Sequence, residues 1–230
     1  MRPLPAPRAV PRHRWRLWGL VLLLAAGLWS VQAGTSFDRL LASLTQRWGP
    51  GPAPKFQAWR ALLASLANAP DAERLKKIND FFNRQMQFGS DPEVWGEPDY
   101  WATPMESLGK GAGDCEDFVI AKYFSLLEAG VAADKLRLIY VRVKSEGAGQ
   151  QAHMVLGYYA QPEAEPLVLD NLIGDVRPAA RRPDLLPVFS FNKDGVFTGV
   201  SARDATPAAG VGRLSRWEDL LKRAKAEGFE

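Results

Sequence analysis

One cysteine and two histidines are all that this 230-residue chain has of either type. A lone cysteine, Cys115, excludes an intramolecular disulfide and any fold stapled by one. His13 sits in a basic N-terminal stretch, so His153 is the single imidazole of the body. No apolar run reaches the roughly 20 residues that span a bilayer. The charge-free stretch from Leu17 to Trp29 is about 13 residues, too short for a retained membrane anchor. There is no internal repeat and no low-complexity tract.

What stands at the N-terminus accounts for the basic balance. Arg2, Arg8, Arg12, Arg14 and Arg16 precede the apolar stretch, and Val31-Gln32-Ala33 offers small side chains after it. Residues 1–33 read as a secretory signal peptide with cleavage near Ala33. Its removal takes five of the 29 basic residues and none of the 26 acidic ones, leaving 24 against 26. The mature chain therefore has no nucleic-acid footprint and no stable membrane insertion. A free thiol in an exported protein is open to oxidation. A buried, inert cysteine is the bland account, but Asp114, Glu116 and Asp117 flank this one.

The body begins after a breaker-rich entry. Residues 34–54, ending in Gly49-Pro50-Gly51-Pro52-Ala53-Pro54, read as an N-terminal linker segment, and 55–230 as one domain. Helical spacing predicts helices over Lys55–Ala67 and Asp71–Met86. Thr103-Pro104-Met105-Glu106 is a capping box with proline at the first helical position. Gly109 to Gly113 form a tight loop, without P-loop spacing, that leads into a buried helix ended by Gly130. Thereafter the period falls to two. Strands are expected over Leu136–Val143, Ala152–Tyr159 and Leu167–Asp170, with a hairpin turning at Asn192-Lys193-Asp194-Gly195. Ser215-Arg216-Trp217-Glu218 reads as the cap of a terminal helix. Helices first and an antiparallel sheet afterwards make an α+β domain.

Cys115, His153 and Asp170 supply a possible nucleophile, base and orienter in chain order. At a helix start the macrodipole favours the thiolate, and the Cys115 backbone N–H is free for an oxyanion. A turn centred at Gln161-Pro162 would set His153 across from Asp170; Asn171, Asp175 and Asp99 are the other candidate orienters. Three acids beside the sulfur oppose this activation. Either they cap and complement the helix, or a divalent cation neutralises them, and an all-oxygen set points to Ca²⁺ rather than zinc. Trp101 brings an indole N–H as a candidate oxyanion donor, with a plain core tryptophan as the alternative.

Gly113-Asp114-Cys115-Glu116-Asp117-Phe118, Ala152-His153-Met154-Val155-Leu156, Val168-Leu169-Asp170-Asn171 and Asp99-Tyr100-Trp101-Ala102-Thr103-Pro104 resemble the bacterial transglutaminase-like cysteine proteases of the LapG type. The likeness runs from about Lys55 to Val200. It implies a papain-like/transglutaminase-like core, with an N-terminal helical lobe followed by an antiparallel β-sheet lobe. It also implies a triad of Cys115, His153 and Asp170, and a calcium region at Asp114, Glu116 and Asp117. The function implied is a periplasmic endopeptidase that cuts a large surface adhesin near its N-terminus at a di-alanine site and promotes biofilm dispersal. An inner-membrane cyclic di-GMP receptor would sequester it. Animal transglutaminases carry Gln and Trp beside their cysteine, where this chain has acids, which argues against cross-linking. A silent adaptor of the same fold would lack a triad member, and none is missing. An amidase or acyl transferase would share the triad. Thr206-Pro207-Ala208-Ala209-Gly210-Val211 resembles the di-alanine sites of such substrates, in a composition rich in alanine and glycine.

Overall fold

The computed structural model describes residues 37–145, 149–198 and 211–229. Residues 1–33, read from the sequence as a signal peptide, lie outside them, as does the di-alanine segment up to Gly210. Helices α1 (residues 37–48), α2 (Ala53–Ser65) and α3 (Asp71–Gln85) come first. Then follow β1 (Gln87–Phe88), α4 (Asp91–Val94), α5 (Pro104–Lys110), β2 (Ala112–Gly113) and α6 (Cys115–Glu128). The second half holds β3 (Leu136–Ser145), β4 (Gly149–Tyr158), β5 (Leu167–Leu169), β6 (Arg177–Pro178), β7 (Leu185–Asn192), β8 (Gly195–Thr198) and α7 (Val211–Glu227). Strands β3 to β8 form one antiparallel sheet in the order β6-β5-β4-β3-β7-β8, so the fold is α+β.

The helices follow their local signals. On α3, Leu75, Ile78 and Phe82 are buried on one face, and Asp71 and Glu73 occupy the first turn, where the dipole favours acids. Thr103 caps α5 through its side chain in a reciprocal box with Glu106, and Gly111 ends it in the left-handed region at φ 69°. Helix α6 is apolar on nearly every side, with Phe118 to Leu126 all buried, because α3 packs on one flank and the sheet on the other.

Several expectations shift. The segment 34–54, read as a linker, is helical over 37–48 with Leu44 buried, and the compact unit begins at Leu40. Helix α7 starts at Val211, so Ser215 lies inside it rather than capping it. Ser-x-x-Glu is equally at home on an exposed helix face, and upstream residues extend the helix. The parallel pair β1–β2 and the short helix α4 carry too few residues for a period and were not anticipated.

Helix α7 returns to the segment between α4 and α5. Arg223 donates to Glu106 Oε2 at 2.7 Å, to the Tyr100 hydroxyl at 3.2 Å and to the Trp101 carbonyl at 2.7 Å. Thr103 Oγ1 donates to Glu227 at 2.8 Å, and Arg216 pairs with Asp99 at 2.9 Å. Trp217 anchors the helix, packing against Tyr123, Phe124 and Phe191 and donating to the Asn192 carbonyl.

Candidate active site

Cys115 opens α6, and its backbone N–H is among the four that a helix start cannot satisfy internally. Sheet and helix then meet at a cavity of about 350 Å³, lined by Cys115, His153, Trp101, Tyr140, Met154 and Phe189 together with Asp91, Asp99, Asp114 and Glu116. A larger cavity of about 630 Å³ lies between α3 and the β5–β6 region, but its lining carries no cysteine, serine or histidine. The chemistry is in the smaller one.

His153, on β4, hydrogen-bonds through Nε2 to Asp170 Oδ1 at 2.8 Å, with both residues buried. Asp170 is held anionic, its carboxyl down at about 2. Burial opposes this, and the hydrogen bond and charge of His153, the Leu172 amide and Arg182 outweigh it. An anionic carboxylate only accepts, so Nε2 carries the proton and Nδ1 is the nitrogen free of the carboxylate. Arg182 pairs with Asp170 Oδ2 at 2.8 Å and forks onto Asp184, while Asn83 of α3 donates to the Asp170 carbonyl at 2.8 Å.

The two residues do not meet as the expected turn would place them. Leu156 pairs with Leu169, and continuing that register sets Asp170 across from Val155, two positions along from His153. A shift of two keeps both side chains on one face, and a diagonal pair is within reach of an imidazole. The other candidate orienters are engaged elsewhere: Asp175 pairs with Arg177 and Asp99 with Arg216. Asn171 Oδ1 is buried and finds no hydrogen-bond partner among the described residues.

The acids beside the sulfur are not caps. Asp114 occupies the N-cap position of α6 but makes no side-chain cap bond, and its Oδ1 is buried without a partner. Asp117 is fully buried, accepting from the Ala102 N–H at 2.8 Å and the Trp95 indole at 3.1 Å. Its carboxylate reaches back over Gly113, where a Cβ would collide with Asp117 Oδ2, so any larger residue displaces it. Burial pushes Asp117 up to about 8 and raises Asp114, with the charge of Glu116 adding to both. The Cys115 thiol donates to Glu116 Oε2 at 2.9 Å. Burial first, and the Glu116 carboxylate second, push that thiol far above its usual range. Without a countercharge, the acids cancel what the helix dipole offers.

Two further acids join the group. Asp91, in the first turn of α4, is buried; Oδ2 accepts from the Tyr100 N–H and Oδ1 is unpartnered. Burial lifts Asp91 to about 6. Donor atoms of Asp91, Asp114 and Asp117, and of Asp91, Asp99 and Glu116, gather within 4.8 Å. Orphaned carboxylate oxygens aimed into one space suit a hard cation with oxygen ligands. Asp91 escaped sequence reasoning because Ser90-Asp91-Pro92-Glu93 announces only a capped helix, which it also is.

Trp101 lines the cavity with its ring stacked on Phe191 at 5.7 Å between centroids. Residues 61–183 match the family model of the bacterial transglutaminase-like cysteine proteinases. The chain belongs to that family. Legionella pneumophila LapG is 38% identical, with a TM-score of 0.68, over 82% of this chain and 97% of that one. Its EGTA-treated form gives 0.69 over the same shares. Its calcium-bound form gives 0.68 over 81% and 98%. No curated protein matches. As a transglutaminase-like cysteine proteinase the chain is a cysteine endopeptidase, and its one cysteine lies in the matched region. No described helix is long and apolar enough to cross a membrane.

Proposed function

We propose that this chain is a periplasmic, calcium-dependent endopeptidase that releases a large surface adhesin by cutting near its N-terminus at a di-alanine, and so promotes biofilm dispersal. Its control is sequestration on an inner-membrane cyclic di-GMP receptor. The observation that carries this is the join of a buried His153–Asp170 pair, a helix-start cysteine and orphaned carboxylates in one cavity, in a chain so like LapG.

Cys115 Sγ attacks the scissile carbonyl and His153 takes the thiol proton, then returns it to the leaving amine. Asp170 holds the imidazole through Nε2 and stabilises its charged form. The Cys115 N–H receives the developing oxyanion. Asp91, Asp114, Glu116 and Asp117 would hold the calcium ion, with Asp99 beside them. When bound, calcium would supply the positive charge that offsets these carboxylates beside the thiol. Tyr140 and Phe189, stacked 5.3 Å apart, wall the cavity with Trp101 and Met154, which favours small side chains at the cut.

Given calcium and the N-terminal part of a large surface adhesin, the full chain should make one cut, inside the di-alanine. A fragment left whole, or a cut mapped elsewhere by mass spectrometry, overturns the assignment. Trp101 is the second oxyanion donor in this scheme. Trp101→Phe keeps an aromatic ring against Phe191 and removes the indole N–H, so kcat should fall roughly 10²–10³-fold with the melting temperature unchanged. A change in stability alone makes Trp101 a core residue and nothing more.

A further inference from the structure

Arg182 follows the single helical turn Ala179–Arg181 and precedes β7, and it is buried. Its backbone is tied to the chain before β5 and to β3. The Ala179 amide bonds to the Pro166 carbonyl, the Arg182 amide to the Ala179 carbonyl, and the Lys144 amide to the Asp184 carbonyl. The guanidinium is tied as well, Nε and Nη2 forking onto the Asp184 carboxylate at 3.0 and 2.8 Å. The same Nη2 stands 2.8 Å from Asp170 Oδ2, with both side chains almost wholly out of solvent. Burying such a cation is costly unless it is well paired. Arg182 is not among the residues that line the cavity of Cys115 and His153, so it meets the orienting carboxylate from outside.

We propose that Arg182 is a positioning residue for the triad, fixing the plane of the Asp170 carboxylate, and that Asp184 fixes Arg182 in turn. The proposal rests on His153 and Asp170 serving as base and orienter. Asp170 divides its contacts by atom. Oδ1 takes the His153 Nε2–H at 2.8 Å and the Leu172 amide at 3.1 Å, while the main-chain carbonyl takes the Asn83 amide. Oδ2 has only the Arg182 contact among the described residues. Without it the carboxylate is held at one oxygen, and the last torsion of an aspartate is soft. Any turn there carries Oδ1, and the imidazole bonded to it, away from the sulfur. A planar fork meets two carboxylates at fixed angles, which a lysine ammonium does not.

Arg182→Met in the full chain with calcium, assayed on the adhesin fragment, should lower kcat on the order of 10²-fold. KM should be unchanged, because the residue lines no part of the cavity. Arg182→Lys keeps the charge without the fork and should recover part of the loss, to about tenfold below the parent. In both variants the proton on His153 Nε2, assigned in NMR spectra by its disappearance in His153→Ala, should move from its parental position; this reading needs no substrate. Adding Asp184→Asn to Arg182→Met should slow it no further, since Asp184 acts only through Arg182. Parental kcat in folded Arg182→Met, a rise in KM that accounts for the loss, an unmoved His153 proton, a slower double variant, or failure of both single variants to fold overturns the proposal. An active His153→Ala defeats the triad itself, whereas an inactive one beside fully active Arg182 variants defeats only this role.

Discussion

Cys115→Ala should abolish cleavage, by a factor on the order of 10⁶ in kcat, while the fold survives. Alanine removes only the sulfur from the start of α6, and Glu116 loses the thiol hydrogen bond that it accepts. The melting temperature should therefore stay close to that of the parent. His153→Ala should be as severe, and the double variant no worse than either, because nucleophile and base act as one unit. Asp170→Asn should be milder, roughly 10⁴-fold, since it misdirects the imidazole without removing it. Gel analysis of the adhesin fragment and intact mass of the products read all four. Activity retained in Cys115→Ala would falsify the thiol mechanism, for the chain has no other cysteine to take over.

The second large effect is on stability. Calcium bound only by the folded state stabilises it by about 2.7 kcal/mol at a hundredfold excess over Kd. For a domain of this size, chelation should then lower the melting temperature on the order of 5–10 °C and stop turnover. Asp114→Asn separates the two accounts of the acidic group. Asp114 makes no cap bond, so Asn loses none; it removes a carboxyl whose charged form burial and Glu116 disfavour. Calcium-free Asp114→Asn should melt higher than calcium-free parent, and calcium should no longer raise its melting temperature. A capping role predicts no change in either condition, because Asn caps a helix as well as Asp does. Scanning calorimetry with and without chelator decides it.

Much of this was legible because scarcity did the selecting. With one cysteine and one histidine in the body, two of three groups had no competitors, and strand period put Asp170 at an edge where a histidine could meet it. The register itself was not legible. A turn signal fixes where a loop lies, whereas the ladder is set by which side chains bury, and Leu156 against Leu169 settled it two residues away. The acids show the same limit. Asp114, Glu116 and Asp117 are adjacent in sequence and could be seen, but Asp91 joins them only through folding of α4 against β2.

Helix α7 ties its Arg223 and Glu227 to the Tyr100–Glu106 wall of the cavity across 117 to 124 residues of chain. Contacts so distant in sequence are the last to close. A partly synthesised chain already holds Cys115, His153 and Asp170 yet lacks the brace for the segment that carries Asp99 and Trp101. The order of synthesis thus acts as a timer: the segment that carries Asp99 and Trp101 gains its brace only once α7 has been made.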